Sequence, residues 1–236
     1  MKLRSTRVLQ AGAIVSVLAF VWFESAGLQA QTNKPNDQGA SIAARGTPSG
    51  AVACVRCHGF DGNSDGSGAF PVIAGQSEYY LAKQLRNYAS GTRKNAIMSP
   101  IAAKLTPDQI AAVTGYYSHL AAHRVSGDQD DASQIARGMT LATAGNLPER
   151  VQACQSCHGP NGEGEAPDIP RLAGQYGHYI VAQLEMWRRG YRKNDPGSEM
   201  KDPAHNLSAQ DISAVAAYFS QLPVPTTQVG GQRNGQ

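Results

Sequence analysis

Cys54-Val55-Arg56-Cys57-His58 and Cys154-Gln155-Ser156-Cys157-His158 are two spellings of one pattern, and the rest of the chain is read outward from them. All 4 cysteines of the protein are spent on these two boxes. Simpler uses of Cys-x-x-Cys fit them poorly. A zinc site needs four converging ligands, whereas each box brings three and ignores the other. A thioredoxin-type redox pair wants a βαβ setting, and no strand pattern surrounds either box. A disulfide loop gives no reason for the histidine, and with 6 histidines in 236 residues one behind each box is a rare accident. Two thiols three residues apart can add across the two vinyl groups of one porphyrin, and the next residue's imidazole is placed to ligate its iron. The expected cofactors are therefore two covalently bound haem c groups, one at Cys54, Cys57 and His58, the other at Cys154, Cys157 and His158.

The surroundings of the boxes repeat as well. A glycine-rich loop follows each, Gly59 to Gly68 and Gly159 to Gly164. Then come Pro71 to Gln76 and Pro170 to Gln175, both ending in Ala-Gly-Gln. Leu81, Leu85 and Tyr88 form one apolar helical stripe that Gly91 stops; Ile180, Leu184 and Trp187 copy it, with Gly190 as the stop. Thr106, Pro107 and Gln109 start the next helix with a capping box, and Ile110, Val113, Tyr117 and Leu120 make its buried face. Ser208 with Asp211 opens the copy, whose stripe is Ile212, Val215, Phe219 and Leu222, ended by Pro223. The offset between copies is 100 residues from Cys54 to Cys154, 99 from Pro71 to Pro170 and 102 from Met98 to Met200. Small insertions confined to loops mark a duplicated domain. No segment alternates with period two, so the fold class is all-α, two tandem domains of about a hundred residues, 31–126 and 127–223. Each is small for a self-sufficient core, and a porphyrin would supply a large apolar body to pack around. The opening helix is the weak point of the first copy: residues 31–40 read as a flexible lead-in, and Gly46, Pro48 and Gly50 interrupt the helix that Ile42 to Ala44 begin. Its counterpart, Asp131 to Ala144, is better formed.

A haem that passes electrons needs a sixth ligand on its iron. Met98 and Met200 occupy matching places, each in an irregular stretch before a capped helix, and are the expected axial partners of His58 and His158. Met139 and Met186 do not recur. His119, His123, His178 and His205 are the alternative ligands, but they have no counterpart in the other copy and read rather as surface or capping residues. Thioether ligation favours ferrous iron, and two protein ligands close the coordination sphere to oxygen and peroxide.

The N-terminus reads as a targeting segment. Lys2, Arg4 and Arg7 precede an apolar run over 8–23, and Ala30 closes a small-residue stretch suited to signal peptidase. Residues 1–30 are thus an expected signal peptide for export to the periplasm; the run is short for a spanning helix, which makes an uncleaved anchor the weaker reading. The formal net charge of +3 owes much to this segment. Without Lys2, Arg4, Arg7 and Glu24 the 21 basic and 18 acidic residues become 18 and 17, and four propionates would turn the balance acidic. No basic patch with interleaved aromatics points to nucleic acid. The tail, 224–236, is polar and glycine-rich, and reads as flexible.

These features together resemble the class I di-haem cytochromes c, most closely the cytochrome c4 family, over roughly residues 40–222. The resemblance rests on Cys54-x-x-Cys57-His58-Gly59, Pro71 to Gln76 and Met98, each with its second copy. It implies two cytochrome c-like domains about a pseudo-twofold axis with propionate edges facing each other. It also implies that the Pro71 and Pro170 carbonyls accept the Nδ1–H of His58 and His158. The function implied is a periplasmic electron carrier serving terminal oxidases or reductases. Its partners would be redox proteins docking at exposed haem edges and the haem c maturation machinery, with membrane-surface association allowed. The alternative is the cytochrome subunit of a dehydrogenase, such as flavocytochrome c sulfide dehydrogenase. A di-haem peroxidase would need one open iron, and matched methionines argue against it. No other catalytic constellation is present, so the chain reads as a carrier rather than an enzyme.

Overall fold

A computed structural model describes residues 35–123 and 131–225. The expected signal peptide, the boundary between 126 and 127, and the tail beyond 225 lie outside these residues. Among the described residues there are helices, loops and two isolated β-bridges, and no strand. The helices come as α1 (Pro35–Arg45), α2 (Val55–His58), α3 (Glu78–Ser90), α4 (Met98–Ala102) and α5 (Pro107–Ser118). The same order follows as α6 (Ala132–Thr143), α7 (Gln155–His158), α8 (Gly177–Arg188), α9 (Lys201–Asn206) and α10 (Ala209–Gln221). A short 3-10 turn, Leu147–Glu149, belongs to the second copy. No helix among the described residues is long and apolar enough to cross a membrane.

The helix ends obey local rules. The Thr106 side chain accepts from Gln109 N–H while the Gln109 side chain accepts from Thr106 N–H, so both halves of the capping box form. At α10 only half does. Ser208 accepts from Asp211 N–H, but the Asp211 carboxylate takes the Ser208 hydroxyl and pairs with Arg137 Nε at 2.8 Å. Gly91 ends α3 in the left-handed region, φ 78°.

Two sequence expectations are corrected. The first copy does have a full opening helix: α1 starts at Pro35, inside the stretch read as a flexible lead-in, and runs 11 residues. Gly46 terminates it rather than interrupting it. Gly39, a poor helix former, is there because α1 crosses α5 so closely that a Cβ would run into the Ala112 carbonyl; Gly138 on α6 meets Ala214 in the same way. The stretch around Met98 is likewise not wholly irregular, since α4 begins at Met98 itself. Pro100 sits in its first turn, where a missing N–H costs nothing, and Pro203 repeats this in α9.

Each copy packs its first helix against its last and its third against its last. In the second copy Leu141, Val151, Ile180, Leu184, Trp187, Ile212, Val215 and Phe219 close one cluster. Full burial of Phe219, 1% exposed, contributes about 1.5–3 kcal/mol. The first copy's cluster is thinner: Ile42, Ala43, Ala112, Val113 and Tyr117 are buried, while Leu81, Leu85, Leu105 and Leu120 are only partly covered.

Candidate functional site

Both boxes fold alike because Cys-x-x-Cys-His is one helical turn. His58 N–H reaches Cys54 C=O at 2.9 Å, and His158 N–H reaches Cys154 C=O at 2.9 Å. The turn sets Cys54 against the first core and Cys154 against the second, and leaves Cys157 on the surface. Burial pushes the Cys54 and Cys154 thiols up to about 11. None of the four is in a disulfide. Among the described residues no three His, Cys, Asp or Glu side chains converge to hold a metal ion.

The histidines are held from the far side of the ring. His58 Nδ1 lies 3.1 Å from Pro71 O, and His158 Nδ1 lies 2.9 Å from Pro170 O. A carbonyl can only accept, so Nδ1 carries the proton and Nε2 presents its lone pair. Burial keeps both rings neutral by lowering their pKa values, against the smaller opposing pull of the proline carbonyls. The proline loops are themselves anchored. Ile73 and Ala74 N–H both donate to Gly62 O, and Leu172 and Ala173 N–H both donate to Gly162 O. Each glycine is pressed against the last helix of its copy; a Cβ would stand 2.9 Å from Tyr117 Cδ1 at Gly62 and 2.8 Å from Phe219 Cδ1 at Gly162. The glycine-rich loops thus tie the box, the proline loop and the terminal helix together.

Met98 and Met200 are both partly buried at the start of a short helix. The Asn95 carboxamide oxygen receives Met98 N–H at 2.9 Å, and the Asp195 carboxylate receives Met200 N–H at 3.1 Å. Met200 packs on the same cluster as Cys154. Met139 is half exposed and His205 is exposed, while His119 Nδ1 caps the end of α5 through Gly115 O.

The contact between the copies was not legible in the sequence. Arg93 lies over the Tyr88 ring, 4.6 Å from its centroid, and Arg192 lies over Trp187 at 3.6 Å. Arg93 donates to Gln84 of its own copy at 2.8 Å and to Tyr179 and Gln183 of the other. Arg192 mirrors this, donating to Gln183 of its own copy at 2.9 Å and to Tyr80 and Gln84 of the other. Gln76 and Gln175 also cross, each bonding the backbone of the opposite proline loop. Such reciprocity is what a local twofold relation between copies produces. The signal for it was present but mute: Arg93 and Arg192, Gln84 and Gln183, and the two Ala-Gly-Gln segments all recur.

The residues fit haem. Arg93 and Arg192 are 2% and 3% exposed, yet no carboxylate among the described residues bonds either one; Asp168, whose charge reaches Tyr80, is tied to Lys83. Among the described residues, Arg93 Nε, Arg171 Nε, Trp187 Nε1 and Tyr117 OH are buried without hydrogen-bond partners, as is one acceptor, Asp168 Oδ1. Buried cations and orphaned donors ask for anionic acceptors, and a macrocycle edged with carboxylates supplies them. The half-covered leucines of the first core ask for an apolar body.

Comparison with known proteins agrees. The sequence profile of the family described as Cytochrome c matches residues 38–121 and 135–223. The chain is 35% identical over 181 residues to a thiosulfate dehydrogenase electron acceptor of Thiomonas intermedia (strain K12), covering 77% of this chain and 83% of that one. It is 36% identical over 185 residues to cytochrome c4 of Pseudomonas aeruginosa, covering 78% and 90%. Among solved structures, the thiosulfate dehydrogenase TsdBA of Marichromatium purpuratum superposes with a TM-score of 0.75 at 40% identity, over 80% of this chain but only 41% of that one. Reduced recombinant cytochrome c4 of Pseudomonas stutzeri gives 0.70 at 31% identity, over 80% and 98%.

Proposed function

The chain belongs to the cytochrome c family, in its di-haem cytochrome c4 branch, and from that premise we propose that it is a periplasmic carrier taking electrons from a thiosulfate dehydrogenase. Two haem c groups, when bound, supply the one-electron chemistry. The chain's own residues do the rest. In this reading Cys54 and Cys57, and Cys154 and Cys157, make the thioether links. His58 and Met98 would hold one iron, and His158 and Met200 the other. The observation that carries the histidine assignment is the doubled Nδ1–H to proline carbonyl bond, which leaves each Nε2 as the unprotonated nitrogen with a lone pair for iron.

Domains of 31–126 and 127–223 behind a signal peptide of 1–30, and haem loading by the maturation machinery after export, complete the proposal. The finer choice of donor rests on likeness. A protein named as a thiosulfate dehydrogenase electron acceptor and 41% of a thiosulfate dehydrogenase chain both match this chain. With Met98 and Met200 as ligands beside His58 and His158, both irons would be closed to substrate, and the chain would be a carrier and not the site of thiosulfate chemistry.

The test is direct. The oxidised, haem-loaded protein is mixed with a purified thiosulfate dehydrogenase and thiosulfate in a stopped-flow spectrometer. Reduction of both haems is expected, and none without the enzyme. Failure of reduction by the dehydrogenase, with small mediators still reducing the protein, overturns the choice of donor while leaving the carrier reading intact.

A further inference from the structure

Gln76 and Gln175 are both buried, 6% exposed, and each reaches into the opposite copy. Gln175 Oε1 accepts from Val72 N–H at 2.9 Å, and its Nε2 donates to Val72 O at 2.9 Å. Gln76 Oε1 accepts from Arg171 N–H at 3.0 Å, and its Nε2 donates to Arg171 O at 3.2 Å. The same oxygens also take the N–H of the residue following each glutamine, Ser77 and Tyr176, which fixes both side chains.

The choice of peptide matters. Val72 N–H and Pro71 C=O are the two ends of one peptide group, and so are Arg171 N–H and Pro170 C=O. Those carbonyls are the ones that receive the Nδ1–H of His58 and His158. One relay runs from His58 through the Pro71–Val72 peptide to Gln175, and the other from His158 through the Pro170–Arg171 peptide to Gln76. Both cross from one copy into the other. A peptide whose N–H is engaged carries more negative charge on its oxygen, and hydrogen bonds in such a chain strengthen one another. A stronger acceptor at Nδ1 fixes the ring and makes Nε2 a better donor to iron.

We propose that Gln76 and Gln175 are crossed positioning residues: each sets the orientation and donor strength of the proximal histidine in the opposite copy. The proposal rests on the reading of His58 and His158 as iron ligands. It makes each haem's affinity for an electron depend on a side chain from the other domain. Loss of the glutamine weakens the carbonyl's hold on the Nδ1 proton, lowers donation to ferric iron, and favours the reduced state.

The experiment uses the haem-loaded full chain with Gln175→Met, which keeps the volume and removes both polar atoms. The two haems are resolved by NMR during a redox titration, each assigned through contacts to protons of Cys54 and Cys57 or of Cys154 and Cys157. At a fixed ambient potential the oxidised-to-reduced ratio of the first-box haem is expected to fall about threefold or more, with the second-box haem moving less. Gln76→Met gives the mirror result. A shift confined to the haem of the mutated copy, or equal at both, overturns the proposal. Should neither variant fold, the wild type decides: a hydrogen-bond scalar coupling between Val72 nitrogen and the Gln175 side-chain carbonyl, and between Arg171 nitrogen and Gln76, supports the relay, and its absence at both overturns it. Failure of the ligand reading looks different, because His58 and His158 ring protons would then lack hyperfine shifts in the wild type.

Discussion

Gly62→Ala tests the idea that the loop after the first box is a tie rather than a spacer. Gly62 has φ +74°, and a Cβ there would meet Tyr117 Cδ1 at 2.9 Å and Ala74 N at 3.0 Å. Gly66, four residues on, has φ +83° but nothing within 4 Å of its would-be Cβ. Both substitutions incur the left-handed backbone cost, about 1–2 kcal/mol, and both gain the same unfolded-state entropy term. The difference between them is therefore steric. Fitting an extra carbon into a packed site costs about 1–3 kcal/mol. At about 2 kcal/mol, and about 2–4 °C per kcal/mol for a chain of this size, Gly62→Ala melts about 4–8 °C below Gly66→Ala. Thermal unfolding of the haem-loaded protein followed by circular dichroism gives that number. The displaced loop carries Pro71, so the first haem's absorption should also change in Gly62→Ala and not in Gly66→Ala. Equal melting temperatures in the two variants would refute the reasoning, since they would mean that Tyr117 and the Ala74 amide do not confine position 62.

Two further outcomes are expected. Met98→Ala or Met200→Ala should turn one haem high-spin and open it to carbon monoxide, whereas Met139→Ala, at a half-exposed position, leaves both spectra unchanged. The Asp211–Arg137 pair should contribute to acid resistance: hydrogen bonding and charge from Arg137 hold the Asp211 carboxyl below its usual value, so its contribution is present above the unfolded-state value of 3.8 and is lost as pH falls through the lower folded one. Arg137→Ala should cost about 0.2–1 kcal/mol at neutral pH and low salt, and nothing once the carboxylate is protonated; urea unfolding at pH 7 and at low pH measures both.

What this sequence determines alone is whatever depends on neighbours in the chain. Cys-x-x-Cys-His places two thiols and an imidazole within five consecutive residues, so both boxes and their cofactor were legible without coordinates. Thr106 with Gln109 caps α5 for the same local reason, and the stripe Ile212, Val215, Phe219 buries itself because its spacing follows the helical period. Repetition singled out Met98 with Met200 as the candidate sixth ligands, and the family resemblance pointed to the Pro71 and Pro170 carbonyls that bond the two histidines. The full length of α1 was not readable, because Gly39 lowers helix propensity while serving a crossing with α5 far along the chain. Nor were the roles of Arg93, Arg192, Gln76 and Gln175. Arginine and glutamine are ordinary surface residues by composition, and only docking of the copies removes water from them and leaves the opposite copy's backbone and side chains as their partners. Those partners lie some hundred residues away in sequence and within 3.4 Å in space, a proximity that tertiary packing alone decides.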